Sequence, residues 1–298
     1  MNDATQDSYK LLKKIKDPHF EIDRLHNYSL SLHLGHRDFQ LLITDTSSQR
    51  CMLLEDYVFY KESSSQQKLE ILSQIFDDHH LLLARFWKSI TFSWKNKKFS
   101  LVPAALYSEK SMSSYLRLNG PFDHDNDKIF TAYHSSGDFV NVFAGEKDIA
   151  EFIESTYQDR EVTYIHQSSV LLDGALGRLA GVGPGVLLFI DRFSIHIAVY
   201  SPGKLRFYNQ YPINKFEDYF KYINLVSKEL SLDFRSVPII TYGYMGQNTP
   251  HYQALKKNLS GLKMGEKPSD LKFSYVFDEI LDHQYFDLFG IYMANCLT

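Results

Sequence analysis

Asp191 stands in the run "LLFIDRFSIHIAVYSPGKLRFYNQYPI" (residues 187–213), which reads as a strand, an aspartate, a sharp reversal, and two further strands. A carboxylate at such a turn can help to hold a nucleotide, or it can accept hydrogen bonds from its own turn or pair with a nearby base. Other candidates carry less. "GVGPG" (residues 181–185) precedes a strand and has neither a Lys-Ser/Thr pair nor the G-x-G-x-x-G spacing, so it reads as a domain-joining turn. "DHDND" (residues 123–127) alternates oxygens like a calcium loop, but Lys128 stands at the sixth position and His134 at the twelfth, where glycine and glutamate are needed. The histidines form neither H-x-x-x-H nor H-E-x-x-H. No G-x-S-x-G elbow is present, and Cys51 and Cys296 lie inside apolar runs, where a thiol is inert.

The elements that would position Asp191 are those of a large folded chain. With 298 residues, 44% of them hydrophobic, there is material for two domains of ordinary size. A net charge of −4 gives no excess to attract a polyanion, and the aromatic residues are not interleaved with Lys/Arg clusters, so no nucleic-acid partner is expected. The two basic runs have structural readings. "KLLKKIK" (residues 10–16) fits one face of a short helix, and "KNKK" (residues 95–98) a hairpin turn between "SITFSW" and "FSLV". Two cysteines without CxxC spacing point to the cytosol, and no apolar run approaches the roughly 20 residues of a membrane span.

A polar lead over residues 1–24 is followed by "YSLSLHLG", "DFQLLITD" and "RCMLLEDYVFY", three strand-like runs joined by tight turns. Helices alternate with strands after that, beginning with "SSQQKLEILSQIFDDH", where Leu69, Leu72, Ile75 and Phe76 recur at helical spacing. At residue 187 the pattern begins again, with a meander of three strands and then helices alternating with strands. The expectation is a duplicated α/β protein, with one domain over residues 25–160 and a second over 161–298 whose last helix is free to pack back on the first.

In this layout, from Tyr28 to the C-terminus, the chain resembles the actin, Hsp70 and sugar-kinase superfamily, whose two ribonuclease-H-like domains clamp ATP between them. It is most similar to an uncharacterised bacterial family of degenerate actin-like proteins, related in layout to the actin-like protein of type IV pilus assembly. The resemblance implies three nucleotide motifs. The first phosphate turn maps to "LHLGHRDFQLLI": Gly35 fits its glycine, but His33 stands at the acidic position, and His36 and Arg37 replace small residues. The second maps to "FIDRFSIHIAVY": Asp191 is kept, while Phe193 takes the place of a glycine that lets backbone approach phosphate. The adenosine turn maps to "PIITYGYMGQNTPHYQAL": Gly243 is kept between Tyr242 and Tyr244, and Gly246 follows.

All three motifs are altered, so the implied reading is a pseudoenzyme, a cytoplasmic binding or scaffold protein that no longer hydrolyses ATP. The alternative is an ATP-dependent enzyme of the same superfamily with divergent motifs. Gly35, His36, Arg37, Asp191 and Gly243 are then vestigial nucleotide-site positions, with no catalytic residue, cofactor or metal expected. Weak ATP/Mg binding stays open, because His36 and Arg37 can attract an anion. In the pilus relative a partner contributes a peptide to a groove, and an unknown protein partner is expected here too. Aromatic residues anchor such contacts. Of Tyr107, Tyr115, Phe122, Tyr133, Tyr242 and Tyr244, the last two are the ones expected to line a cleft for a protein segment or apolar ligand.

Overall fold

The structure, a computed structural model, describes residues 8–61, 64–134, 137–179, 184–201 and 204–295. The basic run near the N-terminus is a strand, β1 (Tyr9–Lys16), and not the expected short helix. It pairs antiparallel with β4 (Arg50–Phe59) at the edge of the first sheet, with a bulge between Leu11 and Lys13. Lysines and a bulge on an edge strand discourage pairing with a further chain, which accounts for the charge run better than a helical face does.

Inside that edge lie β2 (Tyr28–Leu34) and β3 (Asp38–Asp45), forming an antiparallel meander with β4. β5 (Ser89–Trp94) then runs parallel to β2. Along β2 apolar and small polar residues alternate, yet both faces are buried. Leu30, Leu32 and Leu34 enter the main core, while Ser29, Ser31 and His33 occupy the opposite face.

"KNKK" does not close a hairpin. β5 is flanked on both sides by parallel strands, β2 and β9 (Val162–His166), so β6 (Phe99–Pro103) finds no free edge there. It forms instead a small third sheet with β7 (Asp127–His134) and β8 (Phe139–Glu146), in the order β6-β8-β7. The sequence marks "FSLV" as a strand but gives no sign of a separate sheet. The expected second domain begins at residue 161, whereas β9 extends the first sheet.

The second sheet is built from β10 (Gly185–Ile190), β11 (Ser194–Ser201), β12 (Lys204–Pro212), β13 (Ile239–Gly243) and β14 (Leu262–Met264). Its order is β12-β11-β10-β13-β14, against β1-β4-β3-β2-β5-β9 in the first. Without β1, both sheets read third, second, first, fourth, fifth, with an antiparallel meander and two following parallel strands. The expected duplication therefore holds in topology. β14, only three residues long, has no clear sequence signal.

The helices form three layers around the two sheets. α1 (Ser65–Asp78) starts with a capping box between Ser64 and Gln67, and packs with α3 (Lys147–Thr156) over the Leu30 face of the first sheet. α2 (Met112–Asn119) covers the third sheet. α5 (Glu217–Glu229) and α6 (Pro250–Asn258) cover the outer face of the second sheet. Between the sheets lie α4 (Gln167–Leu179), packed on β10 and β11, and α7 (Phe286–Asn295), packed on β2, β3 and β5. Among the described residues, no helix is long and apolar enough to cross a membrane.

Candidate functional site

The carboxyl ends of β2, β5, β10 and β13 meet between the two halves, the place where parallel strands in α/β sheets present their loops to ligands. At the β2–β3 turn the Gly35 N–H donates to the Asp38 carbonyl at 2.8 Å. A Cβ on Gly35 would lie 2.0 Å from Asp38 Oδ1, so this glycine is needed to admit the Asp38 carboxylate. At the β10–β11 turn the Asp191 N–H donates to the Ser194 carbonyl at 2.9 Å, and the Arg192 N–H donates to Asp191 Oδ1 at 2.7 Å.

Lys95, directly after β5, joins the two turns. Its ammonium lies 2.8 Å from Asp38 Oδ2 and 2.9 Å from Asp191 Oδ1, with all three side chains buried. Arg192 reaches across in the opposite direction: Nη1 donates to Asp38 Oδ2 at 2.6 Å and Nη2 to Asp56 Oδ2 at 2.5 Å, while the guanidinium lies on the Tyr244 ring 4.4 Å from its centroid. Asp56 also accepts from Tyr285 Oη at 2.8 Å and Gln40 Nε2 at 3.1 Å. Behind them Asp287, on α7, takes His33 Nε2 at 3.1 Å and Gln167 Nε2 at 2.8 Å, and the same Gln167 nitrogen is 3.3 Å from Asp191 Oδ2.

Three carboxylates, Asp38, Asp56 and Asp191, thus share two fixed cations in a buried place, with Asp287 close behind, and the titration of Asp38, Asp191 and Asp287 follows their partners. Burial raises every buried carboxyl, but Asp38 touches both Lys95 and Arg192, which together hold it below its ordinary range. Asp191 has burial against it, only Lys95 as a cationic partner, and the charges of Asp38 and Asp287 nearby; its carboxyl is pushed up. Asp287 is held low against burial by the His33 hydrogen bond, with Lys95 and Gln167 adding to it. The ammonium of Lys95 is itself raised, burial being outweighed by Asp191 and Asp38.

The residues singled out by sequence separate into different surroundings. Gly35, Asp191 and the ring of Phe193 line one cleft of about 1280 Å³ together with His36 and Arg37. Arg37 donates to the Tyr60 carbonyl at 3.1 Å and stacks 4.9 Å from the Phe193 centroid, so the two turns also touch at the cleft mouth. The Asp191 carboxylate accepts a hydrogen bond from its own turn, the Arg192 N–H, and pairs with a base, which is Lys95 and not the Arg192 side chain.

Gly243 has φ +102° and a Cβ there would meet the Ile190 carbonyl oxygen at 2.0 Å; it is required by the close passage of β13 past β10. Tyr242 and Tyr244 have different neighbours: Tyr242 stacks on Phe286 with centroids 3.9 Å apart and borders a second cavity, while Tyr244 lies under Arg192. Tyr107, Tyr115 and Phe122 pack around the third sheet, and Tyr133 is exposed.

Lys95, Asp38, Asp56, Asp287, Gln40 and Gln167 escape sequence analysis as site residues. For the acids and amides among them the signal is a polar residue inside an otherwise apolar strand or helix, as in "LLEDYVF" and "FDLFG", which is costly unless a partner waits in the fold. A magnesium ion needs several oxygens in a near-octahedral array. Here the facing oxygens of Asp38 and Asp191 are taken by an ammonium, and Asp38 fills the space above Gly35, so these residues do not fit a magnesium nucleotide held in the superfamily's manner. Among the described residues no group of three or more His, Cys, Asp or Glu is placed to share a metal ion. The "DHDND" turn closes on itself, with Asp123 accepting from Asp125 and Asn126 and Asp127 paired to Lys98. Cys51 is buried, and burial pushes its thiol up. Cys296 and residues 181–183 lie outside the described residues.

Comparison with solved structures gives the fold a wider setting. A Bacteroides thetaiotaomicron protein with actin-like ATPase fold and unknown function superposes with a TM-score of 0.72 at 18% identity, over 83% of this chain and 93% of that one. The type IV pilus biogenesis complex PilM–PilN gives a TM-score of 0.50 at 12% identity, over 90% of this chain and 97% of that one. At such identities the likeness establishes an α/β actin-like ATPase fold and nothing finer. No curated protein matches in sequence. The family model described as "Protein of unknown function (DUF3822)" matches residues 17–260, and the chain belongs to that family.

Proposed function

We propose that this chain is a cytoplasmic actin-like protein that does not hydrolyse ATP and that acts by binding another protein, as a scaffold. The observation that carries the reading is the Lys95 ammonium seated between Asp38 and Asp191, a cation of the chain's own between the two turns that the superfamily uses for metal and phosphate. Asp38 adds an internal anion above Gly35, and Arg192 completes the charge balance from the other half. The pairing of these groups with one another supports the reading, because the facing oxygens of Asp38 and Asp191 are already engaged by a cation. That this fold occurs in a two-protein pilus complex supports a binding role.

Phosphate release from Mg-ATP tests the reading. The purified protein is expected to release phosphate no faster than a heat-denatured control, and Asp191→Asn is expected to change nothing. Turnover that disappears in Asp191→Asn would instead favour an ATP-dependent enzyme of the same superfamily.

A further inference from the structure

We infer that Arg192 is a latch that holds the two halves closed over the cleft. Arg192 belongs to the β10–β11 turn of the second half, and both of its carboxylate partners, Asp38 and Asp56, belong to the first. Its side chain is fixed on a third side by the Tyr244 ring, so it leaves its partners only if the guanidinium moves off an aromatic face as well. The flanking contacts cross in the opposite sense, from bases of the first half to the second: Lys95 to Asp191, His33 to Asp287, and Arg37 against Phe193 at the mouth. Arg192 differs from these in geometry, because its planar fork spans two carboxylates that a single-point cation cannot reach together.

Away from these charges the two halves are joined by α4, by α7, by apolar clusters that set Leu42 and Leu54 against Phe277 and Phe289 and Phe139 against Leu187 and Phe189, and by a bridge between Arg50 and Lys272. A movement that opens the cleft would have to pivot on those clusters. In this chain it is opposed by a fixed internal cation, present whatever the ligand, so that opening requires a competitor for Asp38 and Asp56. The inference rests on the reading that the cleft is filled from within, and its test keeps the two apart.

Hydrogen exchange of the full chain reads the latch directly. The amides of Gly35 and Asp191 close their turns by hydrogen bonds at 2.8 and 2.9 Å and report on the cleft walls. In Arg192→Gln and in Asp56→Asn, which keeps shape and loses charge, these amides are expected to exchange about tenfold faster or more, while those of β2, β3 and β10 keep their protection. Unchanged turn amides in Asp56→Asn would overturn the latch. So would uniform acceleration along the chain, which would make the pair a general stabiliser. The ATP experiments decide the other reading separately: failure of wild type to bind or turn over nucleotide leaves it standing whatever the exchange shows, and binding by wild type removes it while the exchange still judges the latch.

Discussion

Lys95→Met is expected to lose about 3–5 kcal/mol of stability at neutral pH, the range found when one member of a buried ion pair is removed. The side chain is nearly isosteric, so the loss reports on charge. Without the ammonium, Asp38 keeps Arg192 but Asp191 is left with hydrogen bonds alone, beside Asp38 and Asp287.

The pH dependence changes sign locally. In wild type the Asp38 carboxyl is held low, so its contribution is present above the unfolded value near 4 and is lost as pH falls through the folded value. In the variant the Asp191 carboxyl, already raised, moves further up; the folded state then binds the extra proton, and the stability lost is partly regained as pH falls from 7 toward 5. Adding Asp191→Asn should likewise restore part of the loss. Denaturant titrations at the two pH values measure both effects. A loss below about 1 kcal/mol, as for an exposed pair, would show that the cluster is solvated and contributes little.

Gly243→Ala is expected to cost about 3 kcal/mol, from a left-handed backbone and from overpacking against the neighbouring strand. At φ +102° the new methyl would meet the Ile190 carbonyl oxygen at 2.0 Å, and that carbonyl accepts the Tyr244 N–H at 2.8 Å. Strand β13 would have to move away from β10, carrying Tyr244 from beneath Arg192. Gly246→Ala is the control. The nearest atoms to a Cβ there lie at 3.5 and 3.6 Å, so a change within about 0.5 kcal/mol is expected. Thermal or denaturant unfolding of the two variants compares them; equal stability would mean that Gly243 is kept for a reason other than this crossing.

The fold was legible where periodicity is strong and local. The two meanders announce themselves through apolar runs punctuated by short turns, and α1 through its spacing and its Ser64 cap. What misled was tertiary: "KLLKKIK" alternates too poorly to look like a strand and becomes one by completing an edge against β4, and the third sheet depends on pairings between residues some forty positions apart. Asp191 and Gly35 could be found because they sit at turns after buried strands. Lys95 could not be told from Lys97 and Lys98 of its own run, and the acid Asp56 inside "LLEDYVF" did not reveal which partner it meets. Their role arises only when two distant turns and a strand end are brought within 3 Å. Residues two apart on a regular strand share a face, yet with the left-handed Gly243 between them the Tyr242 ring stacks on Phe286 and the Tyr244 ring lies against Arg192.

The claim that the nucleotide positions are filled from within is tested most directly by a thermal-shift titration of the full chain with Mg-ATP and Mg-ADP. A ligand at 100 times its dissociation constant adds about 2.7 kcal/mol to folded stability, easily seen as a shift in Tm. The account predicts no saturable shift with either nucleotide up to millimolar concentration, in wild type and in Asp191→Ala alike. A saturable rise in wild type that Asp191→Ala abolishes would contradict it.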